Sequence, residues 1–252
     1  MKIGLVLSGG GARGLMHLGV IKALEEMGVK FSHISGTSAG SIIGALYAYG
    51  YPVDEVFKQI STGYFRAVRP AWALSGLLSL QGLRLELLRY MPENSFDALK
   101  ISLTAAATDL VNGQVKYFDE GELIPAVLAS SCVPAVFNPV TVNGVMYVDG
   151  GIQDNLPVKP IKDKCDFIIA SHCNPIDDHF DRMNIKAIIE RSLLIAINGN
   201  TTFSKRMCNV LIEPPGIAKF GGFEIGKGKQ MLEIGYEFTM KNFKPYDFAG
   251  QV

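Results

Sequence analysis

The first 50 residues repeat one order of elements, and this repeat constrains the fold more than any other feature of the chain. An apolar run at 3–7, IGLVL, and a second predicted strand at 30–35, KFSHIS, each lead into a glycine-rich turn. Helical character follows both turns, over 12–27 and over 41–49. Strands that alternate with helices predict a three-layer α/β fold, in which a mainly parallel sheet has helices on both faces.

The rest of the chain continues this alternation. Helices are predicted at 52–64, 121–131, 182–197 and 229–240, and strands at 101–108, 114–118, 145–148 and 166–170. The leucine-rich stretch 71–91 predicts one or two helices packed on the domain, or a mobile lid over an acyl-chain pocket. With 252 residues, 48% of them hydrophobic, the chain can bury a large core, and we expect one domain spanning residues 1–252.

Charge and cysteine content narrow the expected partners. Lys and Arg number 24, as do Asp and Glu, and no basic run occurs, so nucleic acid is not an expected partner. No apolar run approaches the about 18–20 residues of a membrane span, so any membrane contact would be peripheral. The four cysteines have no metal-ligand spacing and the N-terminus lacks a signal-peptide pattern. We therefore expect reduced thiols in a cytoplasmic protein without a metal or cofactor.

The first glycine-rich turn, GGGARG at 9–14, has the G-x-G-x-x-G spacing of a dinucleotide-binding loop. A dinucleotide site also needs an acidic residue about 20 positions further on, which holds the ribose. No Asp or Glu occurs between Gly28 and Ser41, and this disfavours a nucleotide-dependent oxidoreductase. Backbone amides of the same loop also suit an oxyanion. Arg13 in this loop is either a ligand for an anionic substrate or a solvated surface charge.

The second turn, GTSAG at 36–40, matches G-x-S-x-G between a strand and a helix, which is the context of a nucleophile elbow. The flanking glycines allow the strained turn that would expose the Ser38 hydroxyl at a helix N-terminus. Ser38 is therefore the candidate nucleophile, with a structural turn residue as the alternative. The amides of Gly10, Gly11 and Ala39 are candidate donors to the oxyanion that forms when a serine attacks an ester.

A serine nucleophile needs a proton acceptor. The histidines are His17, His33, His172 and His179, and each is better explained as a structural residue than as a triad member. In VMYVDGGIQDNLP a predicted strand ends at Asp149, and two glycines let the chain turn sharply, so this carboxylate could approach another loop. An Asx-type turn is the alternative role for Asp149. Asp109 and Asp154 are the competing carboxylates, the first as a strand-end hydrogen-bonding residue and the second as a turn residue.

GGGARG, GTSAG and DGG at 149–151, in this order, resemble the patatin-like phospholipases, and more closely their small single-domain bacterial type. Three further segments agree with the resemblance, ATDLVNG at 107–113, ASSCVPAVFNPV at 129–140 and DGGIQDNLPV at 149–158, so the likeness covers residues 3–175. The resemblance implies a patatin-like fold and a Ser-Asp dyad, with Ser38 as nucleophile and Asp149 as proton acceptor. It also implies that 9–14 forms the oxyanion loop, with Gly9 among its donors.

The function that the resemblance implies is hydrolysis of lipid acyl esters through an acyl-enzyme, without calcium. Phospholipase A, lysophospholipase, esterase and thioesterase activities remain open, as do the head group, acyl length and oligomeric state. A catalytically idle or regulatory lipid-binding protein on the same scaffold is the alternative, although such a protein would be expected to lack Ser38 or Asp149. A free aspartate has a pKa of about 3.9 and is a weak base, so we expect a dry, apolar setting that raises this pKa.

Overall fold

Strands and helices alternate along the computed structural model, which describes residues 1–67, 69–70, 78–178, 180 and 184–248. The strands are β1 (Ile3–Leu7), β2 (Phe31–Thr37), β3 (Arg69–Pro70), β4 (Leu78–Ser79), β5 (Ser102–Asp109), β6 (Val115–Phe118), β7 (Val140–Val142), β8 (Val145–Asp149), β9 (Phe167–Ser171) and β10 (Val210–Ile212). The helices are α1 (Met16–Glu26), α2 (Ala39–Tyr49), α3 (Val53–Ala67), α4 (Gln81–Tyr90), α5 (Leu123–Ser131), α6 (Ile185–Met207) and α7 (Gly228–Asn242).

Eight of the strands form one sheet in the order β10-β9-β1-β2-β5-β8-β7, with β6 also paired to β5. The strands from β10 to β5 are parallel to their neighbours, whereas β6 and β8 run antiparallel to β5, and β7 runs antiparallel to β8. The pair β3 and β4 is a separate two-stranded sheet. The predicted mainly parallel sheet is confirmed, and it ends in an antiparallel edge.

The central strand β1 is buried along its whole length because it has a strand on each edge and packed side chains on both faces. Leu5 and Leu7 belong to the large core shared with α1, α2, α5 and α7. Val6 points the other way, into a smaller core with Leu156 and Ile161. Helices flank the sheet as predicted, but a short 3-10 turn at Lys159–Ile161 and the end of α6 supply much of the cover on this second side.

The edge of β5 brings the ends of two other strands together. Along one edge β5 pairs first with β2, where Thr37 faces Ala106, and then with β8, where Asp149 faces Ala107. β6 pairs with both alanines, so it occupies the opposite edge. The residue that follows β2 is therefore placed beside the last residue of β8.

Several element boundaries differ from the sequence-based expectation. The helix expected from residue 12 starts as a 3-10 turn at Gly11–Leu15 before α1, and α6 continues to Met207 instead of ending near residue 197. The strands β7 and β10 were not predicted, because three residues are too few to show a period. A sequence signal for β7 does exist: Asn143 and Gly144, both at positive φ, form the Asn-Gly turn typical of a hairpin.

The leucine-rich stretch 71–91 is described only in part. Residues 71–77 lie outside the described residues, whereas α4 packs against α3 and α5 through the buried Leu83 and Leu87. The prediction of a packed helix is thus confirmed for α4, and the lid stays a prediction. Among the helices in the described part of the chain, none combines the length and the apolar character that crossing a bilayer requires.

Candidate active site

Ser38 lies between the end of β2 and the start of α2, in a backbone conformation that most side chains avoid. Its φ is 54° and its ψ is −124°. The flanking glycines are required by close backbone contacts: a Cβ atom would lie 2.6 Å from the Gly40 carbonyl oxygen at Gly36, and 2.3 Å from the Leu7 carbonyl oxygen at Gly40. The strand–turn–helix context predicted for this segment is confirmed, and it holds the serine in a strained turn.

Hydrogen bonds from α5 and α2 fix this turn. The Ser38 amide donates to Ser130 Oγ at 2.9 Å, and the Ser38 carbonyl accepts from Ser41 Oγ at 2.7 Å and from Ser131 Oγ at 3.2 Å. Both backbone groups of Ser38 are thus held by hydroxyl side chains. Its own hydroxyl is left to face the end of β8.

Asp149 ends β8 and is 6% exposed. Its Oδ1 accepts from the Gly151 amide at 2.8 Å, and its Oδ2 has no fully formed hydrogen bond within the described residues. Burial raises the pKa of this carboxyl to about 6, while the nearby Ser38 hydroxyl and the Gly151 amide oppose the rise. The structure therefore brings Ser38 and Asp149 together in the dry setting that a basic aspartate requires.

The glycine-rich loop passes directly beside the serine. A Cβ atom at Gly9 would lie 3.1 Å from Ser38 Cβ, so the loop could not approach as closely with a larger residue. The Gly9 amide already donates to the Asn155 carbonyl at 3.2 Å, which leaves it engaged rather than available to an oxyanion. The amides of Gly10, Gly11 and Ala39 donate no hydrogen bond in the part of the chain that the structure describes.

Arg13 is buried in the second half of this loop, within the 3-10 turn Gly11–Leu15. It is 9% exposed, so the alternative of a solvated surface charge is wrong. Its Nε has no hydrogen-bond partner among the described residues, and burial lowers the pKa of the guanidinium, an effect that Cys173 and Glu190 oppose in part. A buried cation with an unused donor is suited to an anionic ligand, and that role stays a prediction.

The histidines have the structural roles expected of them where the structure describes their contacts. His17 is fully buried, with Nδ1 2.7 Å from Ser171 Oγ and Nε2 2.9 Å from the Ser8 carbonyl, and burial lowers its pKa to about 4. His172 Nδ1 lies 2.6 Å from Glu213 Oε1, which ties the end of β9 to the segment after β10. His179 lies outside the described residues.

The competing carboxylates have other partners. The Asp109 carboxyl accepts from the Val111 and Asn112 amides at the end of β5, and these bonds lower its pKa. Asp154 accepts from the Tyr117 hydroxyl at 2.7 Å, and burial raises its pKa. Its carbonyl accepts from Thr37 Oγ1 at 2.8 Å. Asp109 is a strand-end hydrogen-bonding residue as predicted. Asp154 is not a simple turn residue, because it is buried and its hydrogen bonds connect it to Tyr117 and Thr37.

Sequence reasoning missed a group of asparagines around the site. Asn155 and Asn174 contact the glycine-rich loop, and Asn198 and Asn200 of α6 bind the segments that carry them. One signal pointed to Asn174: it follows shortly after a predicted parallel strand, and the carboxyl ends of such strands form the ligand-facing edge of a sheet. The two asparagines on α6 gave no comparable signal.

The chain is similar to several known proteins. Residues 5–161 match the family model described as patatin-like phospholipase. Lysophospholipase NTE1 of Meyerozyma guilliermondii is 26% identical over 99% of this chain and 20% of its own length. An NTE family protein of Mycobacterium bovis is 35% identical over 64% of this chain and 45% of its own length. VipD from Legionella pneumophila shares the fold, with a TM-score of 0.57, 16% identity, and coverage of 95% of this chain and 66% of VipD.

The fold and the site together define an α/β protein with a serine elbow facing a buried aspartate. Because the family model matches more than half of the residues, the class can be made more specific: the chain belongs to the patatin-like phospholipase family, a family of carboxylic ester hydrolases. The chain spans less than half the length of the fungal and mycobacterial relatives, at 20% and 45%.

Proposed function

We propose that the protein is a serine acyl hydrolase that cleaves acyl esters of lipids with Ser38 and Asp149. One observation carries the proposal: the buried Asp149 carboxyl, with its pKa raised to about 6, lies beside the Ser38 hydroxyl. A base is most effective when its pKa lies near the operating pH. Burial thus gives an aspartate the basicity that this residue lacks in water.

The reaction would begin when Ser38 Oγ attacks the ester carbonyl and its proton passes to Asp149. The oxyanion that forms would be held by the amides of Gly10, Gly11 and Ala39. Collapse of this intermediate expels the alcohol, which takes the proton from Asp149 and leaves an acyl group on Ser38. Water then attacks the acyl group, Asp149 accepts the proton of that water, and the fatty acid departs as the proton returns to Ser38.

The substrate class rests on the family and on Arg13. Several fungal relatives carry the name lysophospholipase, which supports a lipid ester here. We propose that Arg13 binds an anionic group of the substrate, since its buried Nε lacks a partner in the described part of the protein. The proposal also includes peripheral contact with a lipid surface. It further includes a cytoplasmic location, which the four free cysteines support.

We also propose that residues 1–252 form a single acyl hydrolase domain. Two long-range contacts support this: β1 pairs with β9, and α1 packs along α7. Both contacts join the first residues of the chain to its second half.

Labelling with a long-chain fluorophosphonate, read by intact mass, tests the nucleophile. We expect one label per folded chain, lost in Ser38→Ala and kept in Ser192→Ala, where the exposed serine of α6 is the matched control. A label that persists in Ser38→Ala would contradict the assignment. A folded wild-type chain that takes no label but binds lipid would favour the idle lipid-binding protein instead.

A further inference from the structure

The carbonyl of Gly9 is held by three donors from distant parts of the chain. Asn174 Nδ2 makes the shortest of these hydrogen bonds, while Cys173 Sγ lies at 3.4 Å and Asn155 Nδ2 at 3.5 Å. The Gly9 amide donates to the Asn155 carbonyl at 3.2 Å. Both polar groups of this glycine are therefore fixed by residues that follow β8 and β9.

Fixing one carbonyl also fixes the next amide. In a trans peptide the C=O and the following N–H point in opposite directions, and the described peptides contain no cis bond. With the Gly9 carbonyl turned toward Asn174, the Gly10 N–H must point away from Asn174. The same peptide starts at Gly9, which lies against Ser38, and the Gly10 N–H donates no hydrogen bond within the described residues.

Asn174 and Asn155 are themselves held by α6. Asn198 Nδ2 donates to the Asn174 carbonyl at 2.8 Å, and the Asn155 amide donates to Asn200 Oδ1 at 3.1 Å. Asn200 Nδ2 also donates to the Gly151 carbonyl at 2.8 Å, within the turn whose amide binds Asp149. One helix thus supports the loop beside the serine and the loop beside the aspartate.

An asparagine at position 174 is energetically unfavourable. Its side chain is fully buried, and its Oδ1 has no hydrogen-bond partner among the described residues. An unsatisfied buried polar group destabilises the folded state, a cost that an apolar residue would avoid. The function of the Asn174 side chain therefore depends on the hydrogen bond that its Nδ2 donates, and not on its Oδ1.

We propose that Asn174 is a positioning residue, whose Nδ2 holds the Gly9 carbonyl so that the Gly10 amide is directed toward the oxyanion of the transition state. The inference rests on the proposed function, because it assigns a role within the same site. Asn174 itself would not touch the substrate. Its loss would weaken stabilisation of the transition state while leaving binding of the ester unchanged.

Asn174→Leu is the sharpest test, because leucine is close to asparagine in size and removes the Nδ2 donor without adding a charge or another donor. With a p-nitrophenyl acyl ester we expect kcat to fall at least about 10-fold with KM within about twofold. Affinity for a trifluoromethyl ketone, which forms a tetrahedral adduct with an active serine, should fall by a similar factor. Asn209→Leu is the matched control: Asn209 Oδ1 accepts from the Ile168 amide, far from the elbow, and kcat per labelled site should stay within twofold.

Titration of active sites with the fluorophosphonate corrects kcat for any unfolded protein, and Asn174→Ala replaces the leucine variant if that variant does not fold. The inference is overturned if kcat is unchanged, or if kcat per labelled site and ketone affinity do not fall together. A wild-type chain with neither label nor activity would instead reject the proposed function. The two failures are therefore distinguishable.

Discussion

Asp149 links the stability of the protein to its chemistry, because the property that makes it a base also makes it costly to bury. In the unfolded chain its pKa is about 3.9, whereas in the folded protein it is about 6. The unfolded state thus loses its proton first as the pH rises. Ionisation of this group therefore destabilises the folded state increasingly from about pH 4 to pH 6.

We predict that Asp149→Asn makes the protein more stable at pH 7, by up to about 3 kcal/mol, because the variant carries no buried charge. The gain should vanish below about pH 3.5, where the wild-type carboxyl is protonated in both states. Urea unfolding at pH 3.5 and pH 7 measures both values. A variant that is no more stable than the wild type at pH 7 would show that the buried charge is better compensated than its surroundings indicate.

The same carboxyl predicts the pH dependence of the proposed reaction. Only the ionised form of Asp149 accepts a proton, so kcat/KM should fall as the pH drops through about 6. A profile of kcat/KM from pH 4.5 to 8, on an uncharged ester, measures this midpoint. A flat profile over that range would contradict Asp149 as the base.

Individual site residues could be predicted from the sequence where they belong to a motif of neighbouring residues. Gly36, Ser38 and Gly40 form one local motif, and DGG marks the turn after Asp149, so both could be predicted. The roles of Asn155 and Asn174 could not, because they arise from contacts with a loop 146 and 165 residues earlier in the chain. Only the position of Asn174, shortly after a predicted parallel strand, gave a signal. The burial of Arg13 could not be predicted either, because the residues around a single arginine do not indicate how exposed it is.

Among the elements, α1 and α7 cross where their backbones approach each other closely. A Cβ atom at Gly19 would lie 1.9 Å from the Leu232 carbonyl oxygen, and one at Gly235 would lie 2.3 Å from the Met16 carbonyl oxygen. Glycine on each helix lets the two backbones meet. Neither helix can move aside without disturbing the large core that both share.

We therefore predict that Gly19→Ala destabilises the fold by about 2 kcal/mol or more, although alanine favours helices. Gly199→Ala is the matched control, because a methyl group added at Gly199 of α6 would meet no atom from outside its own helix within 4 Å. That variant should be up to about 1 kcal/mol more stable than the wild type. Thermal or urea unfolding of both variants measures these changes in stability. Equal changes in the two variants would contradict the close contact at Gly19.

Glu213 joins β10 to β9 and α6 through two hydrogen bonds. Burial alone would raise its pKa, but the bonds from His172 and Lys205 outweigh burial and hold it at about 2. A lowered pKa stabilises the fold above the unfolded value of about 4.3, and this contribution is lost as the pH falls toward 2. We predict that Glu213→Gln lowers stability at pH 7 and that the difference shrinks by pH 3, as urea unfolding would measure.

The order of elements was largely predictable because strands and helices here are long enough to show their periods. Helix α1 and strand β5, for example, lie within two residues of where they were expected, apart from the 3-10 turn at the start of the helix. Sheet order was not derivable in the same way. Placing β9 beside β1 depends on packing between segments that share no local pattern.

Taken as a whole, the molecule extends beyond the region that matches the family model. That match ends at residue 161, whereas β9, β10, α6 and α7 follow it. We predict that a chain cut after Lys164 does not fold, because β1 would lose its neighbour on one edge and α1 would lose α7. Near-ultraviolet circular dichroism and urea unfolding, compared with the full chain, would reveal this, and a cooperative transition in the shorter chain would contradict it.

The pairing of β1 with β9 also affects the order in which contacts can form while the chain is being synthesised. Ile3 of β1 leaves the ribosome 164 positions before its partner Phe167. Contacts so distant along the chain form slowly and only after much of it is available. Since Asn174 and α6 come later still, a nascent chain carries Ser38 long before it carries the residues that complete the surroundings of that serine.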